Sequence, residues 1–427
     1  MRQLYSLLVH LLRPLALAAV LWRGFSNRRY WTGLGERLGF GAPAPGGPVI
    51  WVHAVSLGEV TAAAPVIQGL AARHPHVPIV LTTSTPTGRE RALALFGAGV
   101  RVSYLPYDTP GAMRRWVTRI RPLLVVIMET ELWPNLFHEC RRNGIPVVLA
   151  NARLSPRSVR RYRRFGALFR DLFAGDTRVA AQSAEDAERF IAIGADPSRT
   201  CVIGNVKFDR TVDETQAARG TALRAASWPA RPSWIAGSTH AGEEEVVLTA
   251  HAALRAAQPS ALLLLVPRHP ERFGGVAELL ASRGVPFERR SAGAPVMPEC
   301  PVLLVDSVGE LAFLYAAADV AFVGGSLVPV GGHNLVEPAA LGVPVVTGPY
   351  QDNGRDVAEL LERAGAVQCV ADAGALAACL ESLFADPQRR LRMGAAGRDA
   401  VAANRGSVVR LLDLIEPLVR ACPATER

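Results

Sequence analysis

The chain has 427 residues, 49% hydrophobic and 20% charged, enough apolar material for two to three cores at roughly 100–200 residues per domain and too much for a disordered chain. The 31 Pro and 38 Gly are spread along the length, which excludes collagen-like and low-complexity sequence. The formal net charge is +9, carried almost wholly by arginine, since Lys207 is the one lysine among 47 Lys+Arg. Such charge suits nucleic acid, a membrane surface or a phosphorylated substrate. No zinc finger, RNP motif or helix-turn-helix signature accompanies it, so nucleic acid is not an expected partner. The six cysteines, at 140, 201, 300, 369, 379 and 422, contain no C-x-x-C pair and read as reduced, buried thiols of a cytoplasmic protein.

Residues 4–22 form the most apolar N-terminal stretch, interrupted by His10, Arg13 and Pro14. Gln3, Ser6, His10 and Arg13 recur at steps of three and four, which draws a polar stripe along one helical face. Residues 1–25 therefore read as a membrane-associating helix, its leucine face in lipid, either lying in the interface or spanning. Arg23, Arg28 and Arg29 would keep the following chain on the cytoplasmic side. A secretory signal competes, but no small-x-small cleavage site precedes a mature start.

From residue 48 the pattern is strand, loop, helix. Pro48–His53, Val77–Thr82, Val100–Leu105, Leu123–Met128 and Val147–Leu149 are short apolar runs bounded by Pro, Gly or Asp. Residues 216–232, within a polar and Ala-rich stretch ending in two prolines, read as a linker. The pattern then restarts with Ser233–Gly237, Ala261–Val266, Val302–Val305, Val320–Val323 and Val343–Thr347. Such runs alternating with helices predict an α/β protein of two doubly wound, Rossmann-like halves, 26–215 and 233–427. Ligands of such sheets sit at the carboxyl ends of the strands, so a central cleft is the expected site.

Five constellations could carry chemistry. In His53-Ala-Val-Ser-Leu-Gly-Glu59, Ser56 could be the nucleophile of a variant hydrolase elbow, Glu59 a general base, or Glu59 merely a carboxylate favoured by the helix dipole. In Met128-Glu-Thr-Glu-Leu-Trp-Pro-Asn135, Glu129 and Glu131 follow a strand, with a helix cap at Thr130 as the plain alternative. Lys207, in Gly204-Asn-Val-Lys-Phe-Asp209, offers an ammonium for a phosphate leaving group or a salt bridge to Asp209. The second half supplies Gly237–His240, Pro267–Arg272, Val308–Leu311 and the glycines 324–325 and 331–332 leading to His333, Asn334 and Glu337. Glycines ahead of a helix would let backbone N–H groups approach a phosphate, and Glu337 could bind ribose hydroxyls. Neither G-x-G-x-x-G nor a P-loop is present. Finally, Arg153, Arg157, Arg160, Arg161 and Arg164 fall near one helical face, suited to anionic lipid or a phosphorylated acceptor.

The motifs HAVSLGE, METELWPN, NARLSPRS, GNVKFD, AGSTHAGEE, PRHPER and GGHNLVEPAALGVPV, in this order over nearly the whole chain, resemble the bacterial 3-deoxy-D-manno-oct-2-ulosonic acid (Kdo) transferases. The resemblance implies a GT-B fold and transfer of Kdo from CMP-Kdo to the lipid A precursor lipid IVA, at the cytoplasmic face of the inner membrane. It implies Glu59 as catalytic base, and Glu129 and Lys207 as stabilisers of the transition state. CMP contacts would fall on Pro267 and Arg268, on Val308, Gly309 and Glu310, and on Asn334, Leu335, Val336 and Glu337. No metal or other cofactor is implied. The other readings are a serine hydrolase acting through Ser56, a GT-B glycosyltransferase with a different acceptor, and a non-catalytic membrane adaptor.

Overall fold

The computed structural model describes residues 1–26, 28–41, 47–209, 214–293 and 296–421. It divides into two compact units, Met1–Asp209 with Arg405–Arg427, and Arg210–Asn404.

The first unit is built on a parallel sheet of β1 (Val49–His53), β2 (Ile79–Thr83), β3 (Arg101–Tyr104), β4 (Pro122–Met128), β5 (Val147–Ala152), β6 (Thr177–Ala181) and β7 (Thr200–Val202). Its order is β3-β2-β1-β4-β5-β6-β7. The apolar run of β1 is explained by burial on both faces: Ile50 and Val52 enter one core, Val49 and Trp51 the other. The helices that matter for the site are α1 (Arg2–Ser26), α2 (Leu57–Arg73), α3 (Pro134–Arg142) and α4 (Pro156–Arg163). α1 is long and apolar enough to cross a membrane. Its Ser6 hydroxyl donates to Asn135 Oδ1 (2.9 Å), joined there by Arg2 (3.3 Å), while Leu4, Leu7, Leu8, Leu11, Leu12 and Leu15 are exposed.

The second unit repeats the plan with β8 (Ser233–Thr239), β9 (Leu262–Pro267), β10 (Phe287–Arg289), β11 (Val302–Leu304), β12 (Val320–Val323), β13 (Val345–Thr347) and β14 (Val367–Cys369), all parallel and ordered β10-β11-β9-β8-β12-β13-β14. Its helices include α5 (Glu214–Ser227), α6 (Glu243–Ala257), α7 (Leu311–Tyr315), α8 (Val336–Ala340) and α9 (Pro387–Ala403). The expected linker 216–232 is instead largely α5, an integral part of this unit. Arg219 lies over the Phe313 ring, Arg224 pairs with Asp319 at 2.9 Å, and Trp228 is buried. A Cβ at Gly220 would come within 2.0 Å of the Phe313 carbonyl oxygen, so only glycine permits the α5–α7 approach.

The C-terminal boundary also differs from 233–427. The helical tail breaks at Gly406, whose φ of +85° is left-handed, and α10 (Ser407–Arg420) joins the first unit. Leu411, Leu412, Ile415 and Leu418 complete the core that holds Ile50 and Val52, and the Asp209 carboxylate accepts the Gly406 and Val408 N–H groups. The free cysteines are not uniformly buried. Cys201 and Cys369 are exposed because they lie on the edge strands β7 and β14, whereas Cys422 falls outside the described residues.

Candidate active site

In the first sheet β1 and β4 are neighbours although β2 and β3 intervene in sequence, so this is where the winding reverses and the strand ends open a crevice. Ser56 caps α2 with an extended backbone, and its Oγ accepts the Glu59 N–H (3.4 Å). The Glu59 carboxylate accepts the Val55 N–H (2.9 Å) and the Ser56 hydroxyl (3.4 Å). This is a variant capping box, and the S-x-x-E spacing announces it. Nothing in it resembles a strained nucleophile elbow. His53, moreover, is fully buried, bonded through Nδ1 to Thr82, and depressed by burial to about 4. Burial pushes the Glu59 carboxyl up to about 7; the Val55 N–H opposes this, and the Glu129 and Glu131 carboxylates add to it.

Glu129 follows β4 directly in a left-handed conformation, φ +56°, a strain of about 1–3 kcal/mol for a side chain with a Cβ. Its backbone N–H is held by the Ala150 carbonyl at 2.9 Å, and its Oε1 lies 3.6 Å from Lys207 Nζ. Lys207 is set by Asn205, which accepts its N–H at 3.0 Å, and by buried Asn151, which accepts the Val206 N–H at 3.1 Å. Glu59, Glu129 and Lys207 are thus brought together. Thr130 caps no helix; its hydroxyl donates to the Arg153 carbonyl, and α3 starts only at Pro134. Arg157, Arg160, Arg161 and Arg164 form an exposed stripe on and just after α4, opposite Val159 and Tyr162, which pack on the core. Arg153 precedes the helix and is only partly exposed.

In the second unit the expected contacts lie at the carboxyl ends of β9, β11 and β12 and just beyond. Pro267 is buried at the end of β9, the Arg268 N–H donates to the Thr239 carbonyl (3.0 Å), and the Arg268 side chain is exposed. Val308 is exposed, Gly309 has φ +85°, and the Glu310 carboxylate is held by Ser307, Arg290 (3.3 Å) and Arg219 (3.8 Å). Just ahead of α8, Asn334 accepts the Val336 N–H (3.0 Å) and donates to Glu337 (2.8 Å). Leu335 and Val336 are buried, leaving only their backbones to meet a ligand.

Of the two glycine pairs, the 324–325 pair offers no open cradle for a phosphate. The N–H groups of Gly325, Ser326 and Leu327 all donate to the Glu243 carboxylate, at 2.7, 2.9 and 2.9 Å, and the His240 N–H adds a fourth bond at 2.9 Å. Glu243 is wholly buried, so this internal anion fills the nest. Its neighbour Glu244, equally buried, takes a bidentate bond from Arg272 at 2.5 and 3.0 Å. From the sequence neither glutamate has an assigned role; the run Glu243-Glu244-Glu245 at the start of α6 is the available signal.

Two parallel sheets, each wound in both directions with its polar residues at the strand ends, make a GT-B-like glycosyltransferase fold. In agreement, the solved structure of the glycotransferase of kitacinnamycin matches with a TM-score of 0.51 at 18% identity, covering 88% of this chain and 100% of that one. The chain belongs to the 3-deoxy-D-manno-octulosonic acid (Kdo) transferase family. Residues 32–210 match the family described as "3-Deoxy-D-manno-octulosonic-acid transferase (kdotransferase)". The 3-deoxy-D-manno-octulosonic acid transferase of Haemophilus influenzae is 41% identical over 421 residues, 97% of this chain and 98% of that protein. The one from Bordetella pertussis is 42% identical over 404 residues, 92% of each.

Proposed function

We propose that the chain transfers Kdo from CMP-Kdo to lipid IVA in lipopolysaccharide synthesis, with inversion at the anomeric carbon and Glu59 as general base. The observation that carries this is a carboxyl raised to about 7 at the reversal point of the first sheet, beside the Glu129–Lys207 pair. Glu59 removes the proton of an acceptor sugar hydroxyl while that oxygen bonds to the anomeric carbon. The bond from that carbon to the CMP phosphate breaks, and its electron pair leaves with CMP. A base whose pKa lies near working pH combines the right protonation state with useful basicity. Lys207 and Glu129 act on the charge that develops between them, and Arg268 acts on the phosphate. The N–H groups of Gly325, Ser326 and Leu327 have no part, because Glu243 holds them.

The same reading puts the protein on the cytoplasmic face of the inner membrane. α1 buries its exposed leucines in lipid, and the α4 arginine stripe meets anionic head groups or the phosphorylated acceptor. Two variants test the roles. Glu59→Gln should cut transfer by about 10²–10⁴-fold with CMP affinity kept, which separates base from binding residue. Lys207→Ala should lower kcat far more than it raises KM for lipid IVA. A Glu59→Gln enzyme that transfers at the parent rate removes the base assignment.

A further inference from the structure

The second unit holds a group of side chains for which the proposed reaction has no role. His240 follows β8 and His333 follows the 331–332 glycines, and their Nε2 atoms are 2.8 Å apart. The ring centroids are 5.1 Å apart and the planes 11° from parallel, so the imidazoles meet head to head in nearly one plane. His269 stands edge-on to His240 at 5.3 Å. At that separation one Nε2 donates a hydrogen to the lone pair of the other, which leaves no room for a metal ion between them. The accepting ring must then carry its own hydrogen on Nδ1. One further proton would give both rings an outward N–H and the pair a positive charge.

An anion bound here would favour that protonated form. Arg268, tied by its backbone to Thr239 next to His240, adds a guanidinium with no side-chain hydrogen bond or ion pair among the described residues. The charges around the pair are known: Glu243, His269, Arg272 and Glu244 act on His240, and Arg268 and His269 act on His333. Burial and these cations hold His333 down to about 4, so the unliganded pair is neutral near neutral pH. Glu243 already occupies the N–H groups of Gly325, Ser326 and Leu327, so these offer an incoming phosphate nothing beside the histidines.

We propose that the His240–His333 pair, with Arg268, is the anion site that takes the phosphate of the donor nucleotide and binds one proton from solvent as it does so. The inference rests on CMP-Kdo being the donor. Its test is calorimetric titration of the full chain in detergent, near pH 7, with CMP and with cytidine, in two buffers of different protonation enthalpy. CMP should bind at least about tenfold tighter than cytidine, with net proton uptake, as expected for charge-assisted hydrogen bonds. H240Q and H333Q should each lose about tenfold in CMP affinity and abolish the uptake, with cytidine affinity unchanged. Unchanged CMP affinity and uptake in folded variants would overturn the site and leave the donor standing. A parent chain that binds no CMP overturns both. In the parent chain, CMP but not cytidine should also protect His240 and His333 from carbethoxylation by diethyl pyrocarbonate, read by peptide mass. Equal modification with and without CMP contradicts the site without relying on any variant to fold.

Discussion

Glu59 answers to two demands. As the N3 residue of a variant capping box it satisfies the Val55 N–H, and as a half-buried carboxyl near Glu129 and Glu131 it holds its proton up to about 7. A carboxyl raised in the folded state stabilises the fold most below the ordinary carboxylate range, and that contribution is lost as pH rises through 7. The active base is the deprotonated form, so transfer should climb with pH along an acid limb centred near 7. A pH–rate profile checks this, and a flat profile from pH 5.5 to 8 contradicts it. Glu59 was legible from its place after a strand. The left-handed backbone of Glu129 and the anchoring role of Asn151 were not, because positive φ at a non-glycine residue leaves no mark in composition. Lys207 stood out only because the rest of the basic side is arginine.

Legibility was uneven among the elements. The central strands β1, β2, β4, β8, β9 and β12 are buried, mostly apolar runs, and they fall where expected. β7, β10 and β14 are three-residue strands with exposed or polar members, all three at sheet edges and too short for any periodicity. β6 escaped because Thr177-Arg-Val-Ala-Ala181 is weakly apolar. α5 passed for a linker because its close approach to α7 is made at Gly220 and its alanines are mostly exposed, so no row of larger apolar residues announces a helix face. The amphipathic reading of α1 corresponds to what is seen, although the inward contacts run through Arg2 and Ser6 to Asn135 and the leucines face outward. Under the membrane reading, Leu8, Leu11 and Leu15 each contribute about 1.5–3 kcal/mol of burial in lipid. Replacing all three by Ser should leave the chain at the bottom of a flotation gradient with anionic phospholipid vesicles, whereas the parent floats. A triple variant that floats equally well contradicts lipid burial of this face.

For the whole molecule, the first unit is not a continuous stretch of sequence, whereas the second, Arg210–Asn404, is. The first is finished only when α10 supplies Leu411, Leu412, Ile415 and Leu418 to the core laid down by β1. Length and composition gave two α/β halves, but where the chain returns depends on Gly406 and the Asp209 cap, which are local features of a long helical tail. Family membership narrows the chemistry further than the fold can, since fold alone does not determine reaction. The most direct test is mass spectrometry of lipid IVA after incubation with CMP-Kdo and the purified, detergent-solubilised protein. The account predicts a mass gain of one or more Kdo units, lost in Glu59→Gln. An unchanged lipid IVA mass, in protein that still binds CMP, contradicts the proposed acceptor.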